Sequence, residues 1–441
     1  MKDNMDWIEQ IVAETDLADT HEHIVEESRR TKGSSGWLFP CDDWALLFRE
    51  YMQDDLHCAG MSTADELRFY DPETPSIDKF KLVHPFWERI KHTGYAQAFS
   101  HTLRNLYGIE SFSLKHVDEL ASKYHDLKKP GYYEHVLKNV SRLTDCHVNS
   151  LERIFMESES PELLKQDISI LELSRCSAAD LRKVESETGL TIKTFEDWLA
   201  AIDHFFERYG KQAVAVKYQG AYSRRLNFEH VSKRSAADFF KAHHAERPFI
   251  GPHGEKVLQD YLFHYCVKKA GEYGLPVKLH TGYFATRDSM PLAWVKENAA
   301  DLCSLLQDYP EVRFVLMHIG YPYQDEILAL CKQYSNAYVD LCWAWIVNPV
   351  ASVRFLTEFL VAVPANKVLT FGGDYIMVEN VVGHSVIARQ GIAETLSNLV
   401  QRNWVDHSDI PELAARLMNG NARELFGSAV HEKAVALRSD P

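Results

Sequence analysis

The sequence predicts an α/β fold, a (β/α)8 TIM barrel with a mostly helical insertion after its first strand. Two observations carry this. Short apolar runs rich in β-branched residues alternate with longer amphipathic stretches, the rhythm of βα units around a parallel sheet. Eight such runs can be found, and eight parallel strands favour a closed barrel over an open doubly wound sheet.

Taken in order, residues 15–18 lead into 19–24 (DTHEHI) as the first strand. The second and third are 141–146 (SRLTDC) and 168–173 (ISILEL). The later runs are clearer: 213–217 (AVAVK), 276–280 (PVKLH), 312–318 (VRFVLMH), 337–341 (AYVDL) and 368–371 (VLTF). Apolar residues at helix spacing mark helices at 256–273, 292–306, 325–334 and 353–363. The stretch 27–134 breaks the rhythm. Helical pieces at 43–52 and 81–105, rich in Trp, Phe, Tyr and His, make it an insertion expected over the barrel mouth. Its aromatic residues are read first as core packing and second as a pocket wall. From 384 to 441 the tail is expected to be helical, with residues 1–441 forming a single barrel domain.

Composition excludes several functions. A formal net charge of -15 repels nucleic acid and anionic membrane surfaces, so neither is expected as a partner. Eight cysteines lie singly with no CxxC pair, which argues against a thiolate zinc site and a disulfide framework. Acidic residues interrupt the N-terminal stretch where a signal peptide needs an apolar run, and no run is long enough to span a bilayer. A reduced, cytoplasmic protein acting on a small molecule is the expectation, with a homodimer as the assembly suggested by analogy with other barrels.

The strand ends share a chemical theme. In a parallel barrel these ends converge on one mouth. Here they carry His21-Glu22-His23, Lys217, His280-Thr281-Gly282, His318-Ile319-Gly320 and Gly372-Gly373-Asp374. Side chains at i and i+2 of a strand share a face, so His21 and His23 can reach one cation while Glu22 points away. Three neutral imidazoles with a carboxylate form a site suited to zinc, with manganese, iron or cobalt as alternatives.

The ordered set ADTHEH, VKLHTG, VLMHIG and FGGD resembles the amidohydrolase superfamily of metal-dependent barrels. The likeness is to the branch without a flanking β-sandwich, which includes hydrolases and decarboxylases, with uronate isomerases nearby. The segment 419–426 (NGNARELF) is similar to the helix that closes such barrels. The resemblance implies that His21, His23, His280 and Asp374 bind a divalent metal, and that Asp374 also shuttles a proton. It implies that His318 is either a further ligand or a catalytic contact to substrate. Lys217 falls where two-metal members place a carboxylated lysine; a substrate contact or a plain salt bridge is the alternative. One or two ions per chain, zinc first, are therefore expected. The implied reaction is hydrolysis of an amide, ester or lactone bond through a metal-activated water, or else decarboxylation or uronate-type isomerisation. A non-catalytic metal-binding barrel is the remaining reading.

Rim positions supply candidate contacts for an anionic substrate: Arg225, Arg287 and, by position alone, Tyr222 and His384. Arg224, Arg389 and Tyr375 belong to the same group. An arginine fork matches a carboxylate in two hydrogen bonds. The simpler reading of any one of these arginines is an ion pair with the chain's many acids.

Overall fold

The computed structural model describes residues 2–31, 39, 41–243 and 251–427. Eight strands form one sheet in the order β1-β2-β3-β4-β5-β6-β7-β8, a nearly closed parallel barrel with surrounding helices. They are β1 (Leu17–Glu22), β2 (Leu143–Val148), β3 (Leu164–Ser169), β4 (Ala215–Tyr218), β5 (Val277–Leu279), β6 (Phe314–Met317), β7 (Ala337–Asp340) and β8 (Val368–Leu369). Five of the eight (β1 and β5 to β8) lie within the expected runs, and β4 overruns its run by one residue.

The third run departs most. Its strand ends at Ser169, and Leu171–Arg175, part of which is expected as strand, is a helix. A short apolar run does not distinguish a strand from a helical turn. Here Ser174 Oγ donates to the Ile170 carbonyl at 2.6 Å, a helical contact. The second strand begins and ends two residues later than expected.

The chain divides into two compact units. The first comprises residues 1–146, 284–290 and 341–419; the second comprises 147–283, 291–340 and 420–441.

In the second unit, β3 to β7 pair in parallel with no slip, Lys217 standing level with Ser169 and Lys278. β4, β5 and β6 are buried along their whole length, as expected for strands covered on both faces. A buried pair crosses β4: Lys278 Nζ on β5 meets both carboxylate oxygens of Asp167 on β3 at 2.8 and 3.0 Å. Both side chains are sealed from solvent. Around these strands pack Phe195–Tyr209, Gly251–Glu272, Leu292–Asp308 and Gln324–Gln333. The first of these opens on a capping box, Thr194 accepting from the Asp197 amide while the Asp197 carboxylate accepts from Thr194.

In the first unit, the insertion is helical as expected, through Met52–Cys58, Thr63–Phe69, Ser76–Ile90, Gly94–Asn105 and Val117–Leu127. Residues 32–38 and 40 lie outside the described residues. Its aromatics pack on one another: Phe48 lies 4.5 Å from Phe99 and 5.3 Å from Phe112, with Trp44, Phe69 and Trp87 around them. The long helix Val378–Gln401 begins six residues before His384, which therefore lies within it. Of the expected C-terminal helices, residues 428–441 lie outside the described residues.

Candidate metal centre

β1 and the segment after β8 build the site by a continuation of sheet pairing. The Thr20 amide donates to the Phe371 carbonyl at 3.0 Å, the Asp374 amide to His21 at 2.9 Å, and the His23 amide to Tyr375 at 2.9 Å. This zipper sets Asp374 beside the two histidines. It needs glycine twice. A Cβ on Gly372 would stand 2.5 Å from Cys342 Cβ and 3.1 Å from the His21 nitrogen, and one on Gly373 only 1.9 Å from Glu22 Oε1. Asp374 itself adopts φ 64, a left-handed conformation uncommon for a side-chain-bearing residue.

The result is a three-donor cluster. His21 Nε2 and His23 Nε2 lie 3.0 and 3.2 Å from the same oxygen, Asp374 Oδ1. The two imidazoles meet edge to face at 4.7 Å. One ligand atom from each of the three residues fits within 4.8 Å of the others. Two imidazole nitrogens and a carboxylate oxygen so placed suit a divalent cation.

Glu22 points away from this cluster, as alternation along β1 requires, and supports it from behind. Its Oε2 accepts from the Tyr375 amide at 2.6 Å, holding the loop that carries Asp374. Burial, and then the neighbouring Asp19, push its pKa well above the usual carboxylate range. Glu50, reaching from the insertion, accepts from the Ile376 amide at 2.5 Å, and burial pushes its pKa up to about 8. Tyr51 follows it. Its hydroxyl donates to the Asp374 carbonyl, and its ring packs 4.8 Å from Trp343 and 5.2 Å from Tyr375. Sequence reasoning missed Glu50, Tyr51 and Trp343, because nothing in their local pattern marks them as neighbours of the site residues.

The second unit pairs the other two histidines. His318 Nε2 lies 3.0 Å from His280 Nδ1, and His280 Nε2 lies 2.9 Å from the Tyr283 carbonyl. The glycines after them explain both turns: Gly282 and Gly320 have φ 77 and 64, and a Cβ on Gly282 would stand 2.6 Å from the Gly320 carbonyl carbon.

A family model described as Amidohydrolase matches residues 174–428, more than half of the chain. The chain belongs to the amidohydrolase family. Solved structures similar to this amidohydrolase include glucuronate isomerase from Caulobacter crescentus, 14% identical with a TM-score of 0.75 over 100% of this chain and 95% of that one. Uronate isomerase from Thermotoga maritima is 12% identical, TM-score 0.75, over 96% and 97%. At such identities the likeness is one of fold. A stretch of 191 residues is 28% identical to Protein fluG of Emericella nidulans, covering 42% of this chain and 22% of that protein. The amidohydrolase chain thus spans about a fifth of that relative's length.

The remaining candidates lie as follows in this amidohydrolase. Lys217 is buried, its Nζ 2.5 Å from Met317 Sδ. Tyr222 stacks at a tilt 4.5 Å from the His280 ring. The arginines are engaged by protein groups, three of them by acids and Arg389 by backbone carbonyls. Arg225 pairs with Asp301 at 2.6 Å, Arg287 with Glu66 at 2.6 Å and Asp54 at 2.9 Å, and Arg224 with Asp260. Arg389 donates to the Val12 and Thr15 carbonyls at 2.8 and 2.5 Å. His384 is fully buried against Phe371, and burial lowers its pKa to about 3, so it is neutral.

Proposed function

We propose that this chain is a metal-dependent hydrolase acting on an amide, ester or lactone bond of a small, anionic substrate. The observation that carries the reading is the His21/His23/Asp374 cluster, three metal-type donors converging at the end of β1. The sequence pattern adds His280 as a further ligand and keeps Lys217 as the residue on which a second ion would depend. Zinc is the first choice of metal. When bound, such a cation supplies Lewis acidity and lowers the pKa of water from ~16 toward ~7.

Asp374 is the group that moves the proton. Its carboxylate takes the proton of the attacking water and returns it to the leaving nitrogen or oxygen. Glu22, Glu50 and Tyr51 hold the backbone at and just after Asp374, so its carboxylate enters the reaction with little reorganisation. His318 is the proposed donor that polarises the carbonyl under attack.

A second reading, aldose–ketose isomerisation of a uronate, is favoured by the whole-chain likeness to isomerases. There Asp374 would move a proton between carbons. One set of measurements separates these readings: metal content and turnover of Asp374→Asn, His21→Ala and Lys217→Ala, on ester and lactone panels and on glucuronate. Hydrolysis that falls about 100-fold or more in Asp374→Asn, with a normal melting temperature, supports the first reading. Ketose formation from glucuronate without hydrolysis transfers support to the second. Full activity in protein stripped of metal would sink both.

A further inference from the structure

Within the second unit lies a cavity of about 530 Å³ lined by Arg175, Arg225, Lys256 and Trp294 among others. That volume falls in the range of small-molecule pockets, roughly 300–1,000 Å³. Two features of its wall go beyond an ordinary charged surface.

The first is how its arginines are held. Arg175 gives Nε and Nη2 to Asp180 at 2.8 and 2.5 Å. Arg225 gives the same two nitrogens to Asp301 at 3.1 and 2.6 Å. Both arginine side chains are about two-fifths exposed, while both aspartates are almost fully buried. Each fork is thus fastened along one edge to a buried anion, and its Nη1 makes no hydrogen bond to the described residues. An arginine so held has given up most of its rotamer freedom before any ligand arrives, which lowers the cost of binding one.

The second feature is Trp294, which lines the same cavity with 38% of its surface exposed. An indole held open to solvent offers a flat apolar face. Deeper in the wall, Arg224 and Lys256 are both engaged by buried Asp260. Glu255 also lines the cavity, so its net charge is small. Recognition here rests on directed donors and a flat face instead of a broad positive field.

We propose that this cavity binds a small molecule joining a carboxylate to a planar ring, the carboxylate on the Nη1 edges of Arg175 and Arg225 and the ring on Trp294. The ligand class follows from geometry: planar donors match a planar carboxylate, and the indole matches a ring. Nothing in this assignment depends on the metal centre.

The test is calorimetric titration of the full chain with benzoate and, separately, with inorganic phosphate. The expected result is saturable benzoate binding, tighter than phosphate. It should weaken tenfold or more in Trp294→Ala and in the Arg175→Lys/Arg225→Lys double variant. The lysines preserve the charge opposite Asp180 and Asp301, so the fold is kept, and a thermal melt verifies this. Binding should be unchanged in Asp374→Asn. Absence of saturable benzoate binding overturns the proposal. So does binding that survives both cavity variants, or binding lost in Asp374→Asn alone, which would place benzoate at the metal centre. Phosphate binding as tight as benzoate and indifferent to Trp294→Ala also overturns it.

Discussion

At the scale of single residues, the proposed metal centre depends as much on what is absent as on what is present. Gly373 has no room for a methyl group, because its Cβ would meet Glu22 Oε1 at 1.9 Å. Gly373→Ala should displace Glu22 from the Tyr375 amide and destabilise the protein by about 1–3 kcal/mol, the usual cost of overpacking. Urea denaturation would measure this, and a fall in metal content should accompany it. A second residue-scale prediction concerns pH. His264 is buried, with Nδ1 2.9 Å from the Tyr309 hydroxyl; burial, and then His230, lower its pKa from 6.5 to about 4. Between these values the folded protein binds fewer protons than the unfolded chain, so stability rises with pH there. Its contribution is complete above pH 6.5 and is lost as the pH falls toward 4. His264→Phe should flatten the melting temperature across that window, and an unchanged acid slope would count against it.

At the scale of elements, the insertion and the helix Val378–Gln401 are joined through a buried charge. Arg30 Nη2 meets Glu379 Oε1 at 2.9 Å, with side-chain exposures of 0% and 1%, and donates to the Tyr124 hydroxyl at 2.9 Å. Breaking such a pair from one side strands the other charge, at a cost of about 3–5 kcal/mol. Arg30→Met should lose that much in equilibrium unfolding, while Arg30→Met/Glu379→Met should recover most of it. A double variant as unstable as the single one would show that the helix is held by other contacts. The strands were readable at this scale because β4, β5 and β6 are buried on both faces and so appear as apolar runs, unbroken in β6 and interrupted once each in β4 and β5 by the buried Lys217 and Lys278. The third strand was misplaced because Ile168, Ile170, Leu171 and Leu173 satisfy both strand and helix spacing.

At the scale of the whole molecule, metal binding at the proposed site would couple to folding. A cation held by His21, His23 and Asp374 stabilises the folded chain in proportion to RT ln(1 + [M]/Kd), about 4 kcal/mol at a thousandfold excess over Kd. Chelation should therefore lower the melting temperature by several degrees and zinc should restore it, with His21→Ala blind to both treatments. No helix among the described residues is long and apolar enough to cross a membrane.

The sequence alone determined the barrel and the helical character of the insertion, and it put His21, His23 and Asp374 forward as candidate ligands together with His280. Apolar runs mark the strands and i and i+2 spacing sets His21 and His23 on one face, whereas Asp374 enters through the resemblance carried by the FGGD segment. Tertiary structure alone decided the rest. It gave Asp374 its place, through a zipper between segments about 350 residues apart, and set Glu22, Glu50 and Tyr51 behind it. It also tied Arg225 and Arg287 to acids. The physical reason is that an arginine's partner is chosen by proximity in three dimensions, and in a chain with 63 acids and 48 lysines and arginines no local pattern names it.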